Sequence, residues 1–329
     1  MLISVIYFLL SFILFYTFAK LSYKYNFVDL PSKRKSHPNP TAYTGGVILS
    51  SVFVVSIPLF DFSNNIFSFI LSLGFLVSLT GFIDDKYELN VGGKLSLQIF
   101  PIFYLIVFHD LALTHLGDYG NFEIQVISFS LPLTLICVLF LTNAFNYFDG
   151  LDGTVSFASI SVLFNLHFLA HQELQILCII IAVPICIFLC FNFSLLKLPK
   201  LFLGDSGSLL LGFIISFILI YLAKYNIVHP ILLAWSIVVF VYEFISVHLI
   251  RVQNNVSIFK AGKDHLHYIL FKKSKSLFLT NLIIFLGNII LFSIGYLSFI
   301  LINPLASIIL FMFLFIIFLN LRMRYSKDQ

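Results

Sequence analysis

Apolar runs recur along the chain at about 2–19, 45–60, 66–82, 95–108, 127–145, 154–171, 174–192, 207–223, 228–250, 278–300 and 303–320, each followed by a short polar stretch. A helix that crosses the hydrocarbon core of a bilayer needs roughly 17–25 such residues. The pattern therefore predicts an all-α, polytopic integral membrane protein with about eleven transmembrane helices. The run at 95–108 is short and carries Pro101, which a membrane helix tolerates when neighbours satisfy the freed backbone. No internal repeat, low-complexity tract or long linker divides the sequence, so residues 1–329 read as one membrane domain. The first run has no basic stretch before it and no small-residue cleavage site after it, and so reads as an anchor that stays.

Composition agrees: 60% of residues are hydrophobic and 10% are charged, against roughly a quarter charged in soluble proteins. The positions of Lys and Arg orient the helices, because short cytoplasmic loops retain positive charge. Eighteen of the nineteen basic residues fall in 20–44, 83–94, 193–206, 251–277 and the stretch after 320, which are alternate loops; Lys224 alone lies on the other side. The N-terminus is thus expected outside and the C-terminus in the cytoplasm. The net charge of +4 is explained by this topology without any nucleic acid. The four cysteines, Cys137, Cys178, Cys186 and Cys190, lie inside apolar runs and have neither zinc-site spacing nor an extracellular disulfide pattern. They read as soft core residues.

The acids carry more information. Asp84, Asp85, Glu88, Asp149, Asp152, Asp205 and Asp264 all fall on the cytoplasmic side of that topology, in "GFIDDKYELN", "NAFNYFDGLDG", "FLGDSGS" and "GKDHLHYIL". Asp84 and Asp85 end an apolar helix, where acids oppose the helix dipole and repel each other unless a cation meets them. Asp149 and Asp152 share a face if their segment is helical, and the two glycines beside them allow close backbone approach by a ligand; a turn with Asx hydrogen bonds is the plainer reading. Asp205 precedes an apolar run, either as part of a helix cap that Ser206 or Ser208 could supply alone, or as a metal ligand beside a phosphate-accepting helix N-terminus. His265 and His267 are two apart, on opposite sides of a helix but on one face of an extended segment. The lysines around them favour an anion-binding loop over a metal site. Oxygen ligands without organised Cys or His point to Mg²⁺, with Mn²⁺ as the alternative, held by one or two carboxylates and substrate phosphates. The pattern suggests phosphoryl chemistry on a nucleotide substrate with a lipid acceptor.

Five motifs in order, "RKSHPNPTAYTGGV" (34–47), "GFIDD" (81–85), "NAFNYFDGLDG" (143–153), "FLGDSGS" (202–208) and "DHLH" (264–267), resemble those of the polyprenyl-phosphate N-acetylaminosugar-1-phosphate transferases, glycosyltransferase family 4. The resemblance covers most of the chain. It implies a cytoplasmic-face active site in a bacterial-type inner membrane that transfers a sugar 1-phosphate from a UDP-sugar to undecaprenyl phosphate, releases UMP, and starts a lipopolysaccharide or cell-wall glycan. It further implies Asp205, with Asp84, as ligands to Mg²⁺. Asp84 and Asp85 would lie by the acceptor phosphate, Asp84 having the better claim to act as base or to position that phosphate. Asn146, Asp149 and Asp152 would line the nucleotide pocket, and Phe202 would stack on uracil. Lys94, His265 and His267 would meet the diphosphate or sugar, and Lys35 and His37 would form a basic entry loop. A homodimer is raised by the family alone. A lipid phosphate is already anionic near neutral pH, its second pKa being about 6, so direct in-line attack needs positioning and charge screening more than a base.

The chain departs from the family pattern at Tyr268, where another histidine is common, at Glu243, where aspartate is typical, and in "PTAYTGGV", which lacks an arginine before the glycines. These regions bear on sugar recognition and entry. "DHLH" favours a UDP-linked N-acetylhexosamine donor, N-acetylglucosamine first. Two readings from other classes compete: a transporter, which would also keep intramembrane acids, and an inactive scaffold of the same fold.

Overall fold

The computed structural model of the chain describes residues 2–31, 39–257 and 262–327. The fold is all-α apart from two small antiparallel pairs of strands. Thirteen α-helices run through the described residues: α1 (Leu2–Lys24), α2 (Gly45–Phe60), α3 (Asn65–Tyr87), α4 (Val91–Phe108), α5 (Ser130–Phe148), α6 (Thr154–Leu169), α7 (Glu173–Asn192), α8 (Gly204–Lys224), α9 (Pro230–Ser236), α10 (Val238–Gln253), α11 (Leu266–Ser274), α12 (Leu277–Leu301) and α13 (Pro304–Lys327). Strands β1 (Val28–Asp29) and β2 (Thr41–Ala42) pair at the end of the bundle that carries the acids, and β3 (His115–Asp118) with β4 (Glu123–Gln125) at the other.

Every apolar run predicted from the sequence falls in a helix, but the span count differs. Among the described residues, eight helices are long and apolar enough to cross a membrane, or nine if α9 and α10 count as one bent span. Helices α2 and α6 have 16 residues each, short of the roughly 17 that a span requires. Both are lined largely by buried residues and packed among their neighbours, so little of their surface needs lipid.

Helix α8 is the axis of the bundle. It is apolar all round, as a helix enclosed by others must be, and 89% of its central window is buried. Helices α2, α3 and α5 pack against it. At the acidic end these backbones touch: a Cβ on Gly46 of α2 would lie 2.0 Å from the Gly207 nitrogen of α8, the small-residue crossing that lets membrane helices close up.

The run at 228–250 is not one straight helix. α9 and α10 meet at 77°, with no proline or glycine at the break. The freed backbone groups find a partner in Asn288 of α12, whose Nδ2 donates to the Ser236 carbonyl at 2.9 Å and whose Oδ1 accepts the Val239 N–H at 3.3 Å. Side chains of a neighbouring helix thus supply what a break inside a bilayer requires. On the same side of the bundle as the β3–β4 hairpin, Lys224 pairs with the Asp110 carboxylate at 2.5 Å; Lys224 is the one basic residue outside the charged loops.

Candidate active site

The acids gather where α3, α4, α5 and α8 end on one side of the bundle. Lys94, one turn into α4, joins three of the motifs: its ammonium lies 2.7 Å from the Asp84 carboxylate and 3.3 Å from Asn146 Oδ1, and it also contacts the Asp205 carboxylate. Asn146 in turn donates to Ser208 Oγ at 3.0 Å, and Asp84 accepts the Leu89 N–H at 2.8 Å. The cation required by the adjacent acids at the end of α3 is therefore Lys94. Residues of three motifs that the sequence places on one membrane face are thereby brought into one cluster.

Asp85 has a different task. Its carboxylate accepts the backbone N–H groups of Asp205 at 3.1 Å and Ser206 at 3.4 Å. It caps the start of α8 from another helix, where a negative charge meets the positive end of the dipole. A cap from Ser206 or Ser208 was one of two readings of this stretch, but α8 has no side-chain cap of its own, and the Ser206 and Ser208 hydroxyls donate to carbonyls at 3.2 and 3.3 Å. The cap needs Gly204, which sits at φ +70° with Asp85 Oδ2 2.5 Å from where a Cβ would stand.

Beside this cluster opens a cavity of about 1410 Å³. Asp85, Asp149, Asp152, Lys200, Phe202, Asp205, Lys263, Tyr268 and Lys272 are on its wall, together with apolar Phe188, Ile269, Phe271 and Leu277. Asp152 pairs with Lys200 at 2.7 Å, and the Lys200 ammonium lies 5.4 Å from the centre of the Phe202 ring. The backbone of Asp152 is held by Asn281 of α12, whose Nδ2 donates to its carbonyl at 2.8 Å. Asp149, just past α5, faces the cavity. Its carboxyl is pushed well above the usual carboxylate range, first by burial and then by repulsion from Asp205, Asp85 and Asp152.

The two histidines are not on that wall. His265 precedes α11 and His267 lies in its first turn, with their rings parallel at 5.6 Å, so they share a face although α11 is helical. His267 is fully buried, and burial holds it well below its ordinary pKa, as the neutral ring. It lies under Gly150, and Tyr268 reaches the cavity in its place. Neither histidine, both expected to meet the diphosphate or sugar, lines the cavity: His267 is covered by Gly150, and His265 packs against Tyr147 and Glu243. Lys35 and His37 lie outside the described residues.

Among the described residues no three His, Cys, Asp or Glu stand together as a ready metal cage. The oxygens of Asp84 and Asp205, already sharing the Lys94 cation, still match the one or two carboxylates that hold Mg²⁺ when substrate phosphates complete the shell. Sequence reasoning missed Lys200 and Asn281: the lysine was counted only as a topological charge, and the asparagine lay unremarked inside an apolar run.

The chain matches glycosyl transferase family 4 over residues 67–223, which takes in α3 to α8 and most of this cluster. It is similar to the undecaprenyl-phosphate alpha-N-acetylglucosaminyl 1-phosphate transferase of Escherichia coli (strain K12), 28% identical in an alignment of 296 residues that covers 87% of this chain and 80% of that protein. The protein of the same name from Yersinia pestis is 27% identical, over 80% of this chain and 75% of its own. A probable undecaprenyl-phosphate N-acetylglucosaminyl 1-phosphate transferase from Bacillus subtilis (strain 168) is 28% identical, over 91% and 83%.

Proposed function

We propose, from the match to glycosyl transferase family 4 over residues 67–223 and the likeness to undecaprenyl-phosphate N-acetylglucosaminyl 1-phosphate transferases, that this chain is an enzyme of that family and transfers N-acetylhexosamine 1-phosphate from a UDP-linked donor to undecaprenyl phosphate. N-acetylglucosamine is the first donor to test. The observation that carries this reading is the convergence of Asp84, Lys94, Asn146 and Asp205 at the edge of a cavity lined by Asp149, Asp152 and Phe202.

In this reading an acceptor phosphate oxygen attacks the donor phosphorus that bears the sugar. The bond from that phosphorus to the bridging oxygen breaks, and UMP leaves with the oxygen. Lys94 sets a positive charge where two anionic reactants meet, which lowers their repulsion. Phe202 offers uracil a flat face, and Asp152 with Lys200 borders the same part of the cavity. Asp85 keeps the first turn of α8, and so Asp205, in place. Asp205 and Asp84 would hold Mg²⁺, or Mn²⁺, whose chemistry when bound is to neutralise charge on the diphosphate. Phe188, Ile269, Phe271 and Leu277 in the lining suit the lipid end of the acceptor, and the positive-inside bias supports a cavity on the cytoplasmic face of a bacterial-type inner membrane.

A panel of UDP-sugars offered to the purified protein with undecaprenyl phosphate and Mg²⁺ tests the reading. UMP release with an N-acetylhexosamine donor is the expected result, and no UMP with any donor overturns it.

A further inference from the structure

The start of α11 is held by buried charges from two other helices. Glu243 of α10 is 2% exposed, and its Oε1 accepts the Leu266 N–H, the first of α11, at 2.8 Å. The same oxygen accepts from Arg322 Nη2 at 3.2 Å and lies 3.4 Å from His265 Nδ1. Arg322 of α13, itself 7% exposed, also donates to the Asp264 carbonyl at 2.6 Å. Arg251 of α10 grips the Asp264 carboxylate with two bonds, 2.9 and 2.8 Å, the bidentate geometry that fixes orientation as well as distance. Yet only 6% of the apolar window of α13 is buried. A helix with so little buried surface that still buries Arg322 must recover the cost of desolvating that charge through its partners.

The consequence reaches the cavity through α11. A Cβ on Gly150 would lie 2.2 Å from His267 Nε2, and the Tyr268 hydroxyl donates to the Gly150 carbonyl at 3.0 Å. His267 and Tyr268 therefore form the floor of the turn that carries Asp149 and Asp152, and they stand where the start of α11 puts them. The geometry points to Glu243 and Arg322 as positioning residues: the C-terminal helix locks the start of α11, and α11 in turn sets the shape of the donor-binding turn, with neither charge touching substrate. This rests on the donor site proposed above.

Two measurements on the purified full chain test it. In steady-state assays with the preferred UDP-sugar, Arg322→Ala raises the donor KM on the order of 10-fold to 100-fold, the scale set by an ångström of misplacement, and leaves the acceptor KM in place. Arg322→Lys recovers part of the loss, because an ammonium still pairs with Glu243. The double variant Arg322→Ala with Glu243→Ala loses less than the two single losses combined, since neither charge is then left unpaired. Amide hydrogen exchange supplies a readout independent of turnover. In Arg322→Ala the peptides covering 262–274 and 143–153 exchange faster while the 115–125 hairpin does not, and Leu321→Ala, at a position 60% exposed, changes neither peptide. A folded Arg322→Ala protein with wild-type donor KM and unchanged protection overturns the positioning role. Loss of protection throughout, hairpin included, does so too, because Arg322 then only stabilises the fold. Wild-type protein that releases no UMP from any donor counts against the proposed reaction, and the exchange pattern still decides the lock.

Discussion

Single carboxylates in this site differ in what their surroundings ask of them, and Asp149 shows it most plainly. Its carboxyl is held well above the usual range by burial and by three neighbouring acids, so the fold prefers the protonated form. That preference stabilises the fold below the ordinary carboxylate pKa of about 3.9 and is lost as pH rises toward the folded value. Asp149→Asn removes the loss. Its thermal midpoint should exceed that of the wild type at pH 7 by several degrees, at roughly 2–4 °C per kcal/mol, and the gap should close as pH falls toward about 4. Equal midpoints at both pH values would mean that the carboxyl is not held protonated. Sugar-phosphate transfer should fall in the same variant. Asp205→Asn tests the metal assignment separately: turnover with Mg²⁺ drops by about 100-fold or more, the scale of losing one preorganised electrostatic partner, while the thermal midpoint persists. Retained activity would show that Asp205 does not hold the ion. The types and spacing of these residues were legible in the sequence. Their separate tasks were not, because burial and the identity of the nearest charge come only with packing.

Helix ends explain where legibility stopped. Neither α8 nor α11 has a side-chain cap within its own segment, and each is capped by an acid from another helix, Asp85 for α8 and Glu243 for α11. Local rules look for a cap one residue before the helix, so Asp85 read as a catalytic acid and Glu243 as a departure at a sugar-recognition position. If Asp85 is a cap, Asp85→Asn keeps an oxygen for the two N–H groups and most of the stability, whereas Asp85→Ala loses about 0.5–2 kcal/mol and releases Asp205 with it. Thermal midpoint and donor turnover should fall together in the alanine variant. Turnover abolished in Asp85→Asn with an unchanged midpoint would return Asp85 to the chemistry. The bend between α9 and α10 has the same origin. Its sequence is uniformly apolar, and the device that permits it, Asn288, lies some fifty residues further along on α12. Apolar periodicity locates such a helix but is blind to a partner supplied from elsewhere.

At the scale of the molecule, asymmetry of charge and asymmetry of structure coincide. The end of the bundle that holds Asp84, Lys94, Asp149 and Asp205 is also where the basic loops converge, while the opposite end carries the β3–β4 hairpin and the pair of Lys224 with Asp110. Eleven apolar runs were enough to foresee that arrangement, although two of the helices are too short to count as spans by length, since a helix sheltered by neighbours need not match the bilayer. The direction of the whole bundle rests on positive charge alone, because retained Lys and Arg mark the cytoplasmic side irrespective of how the helices pack. Asn121, in the hairpin, and Gln253, at the end of α10, are both exposed and lie at opposite ends. In a background with the four native cysteines replaced, a membrane-impermeant maleimide applied to intact cells should label Asn121→Cys at once and Gln253→Cys only after permeabilisation. The reverse order would place the cavity outside the cell. A nucleotide-linked donor and a loop retained by its lysines would then lose their common explanation, and the carboxylate cluster would need a different substrate.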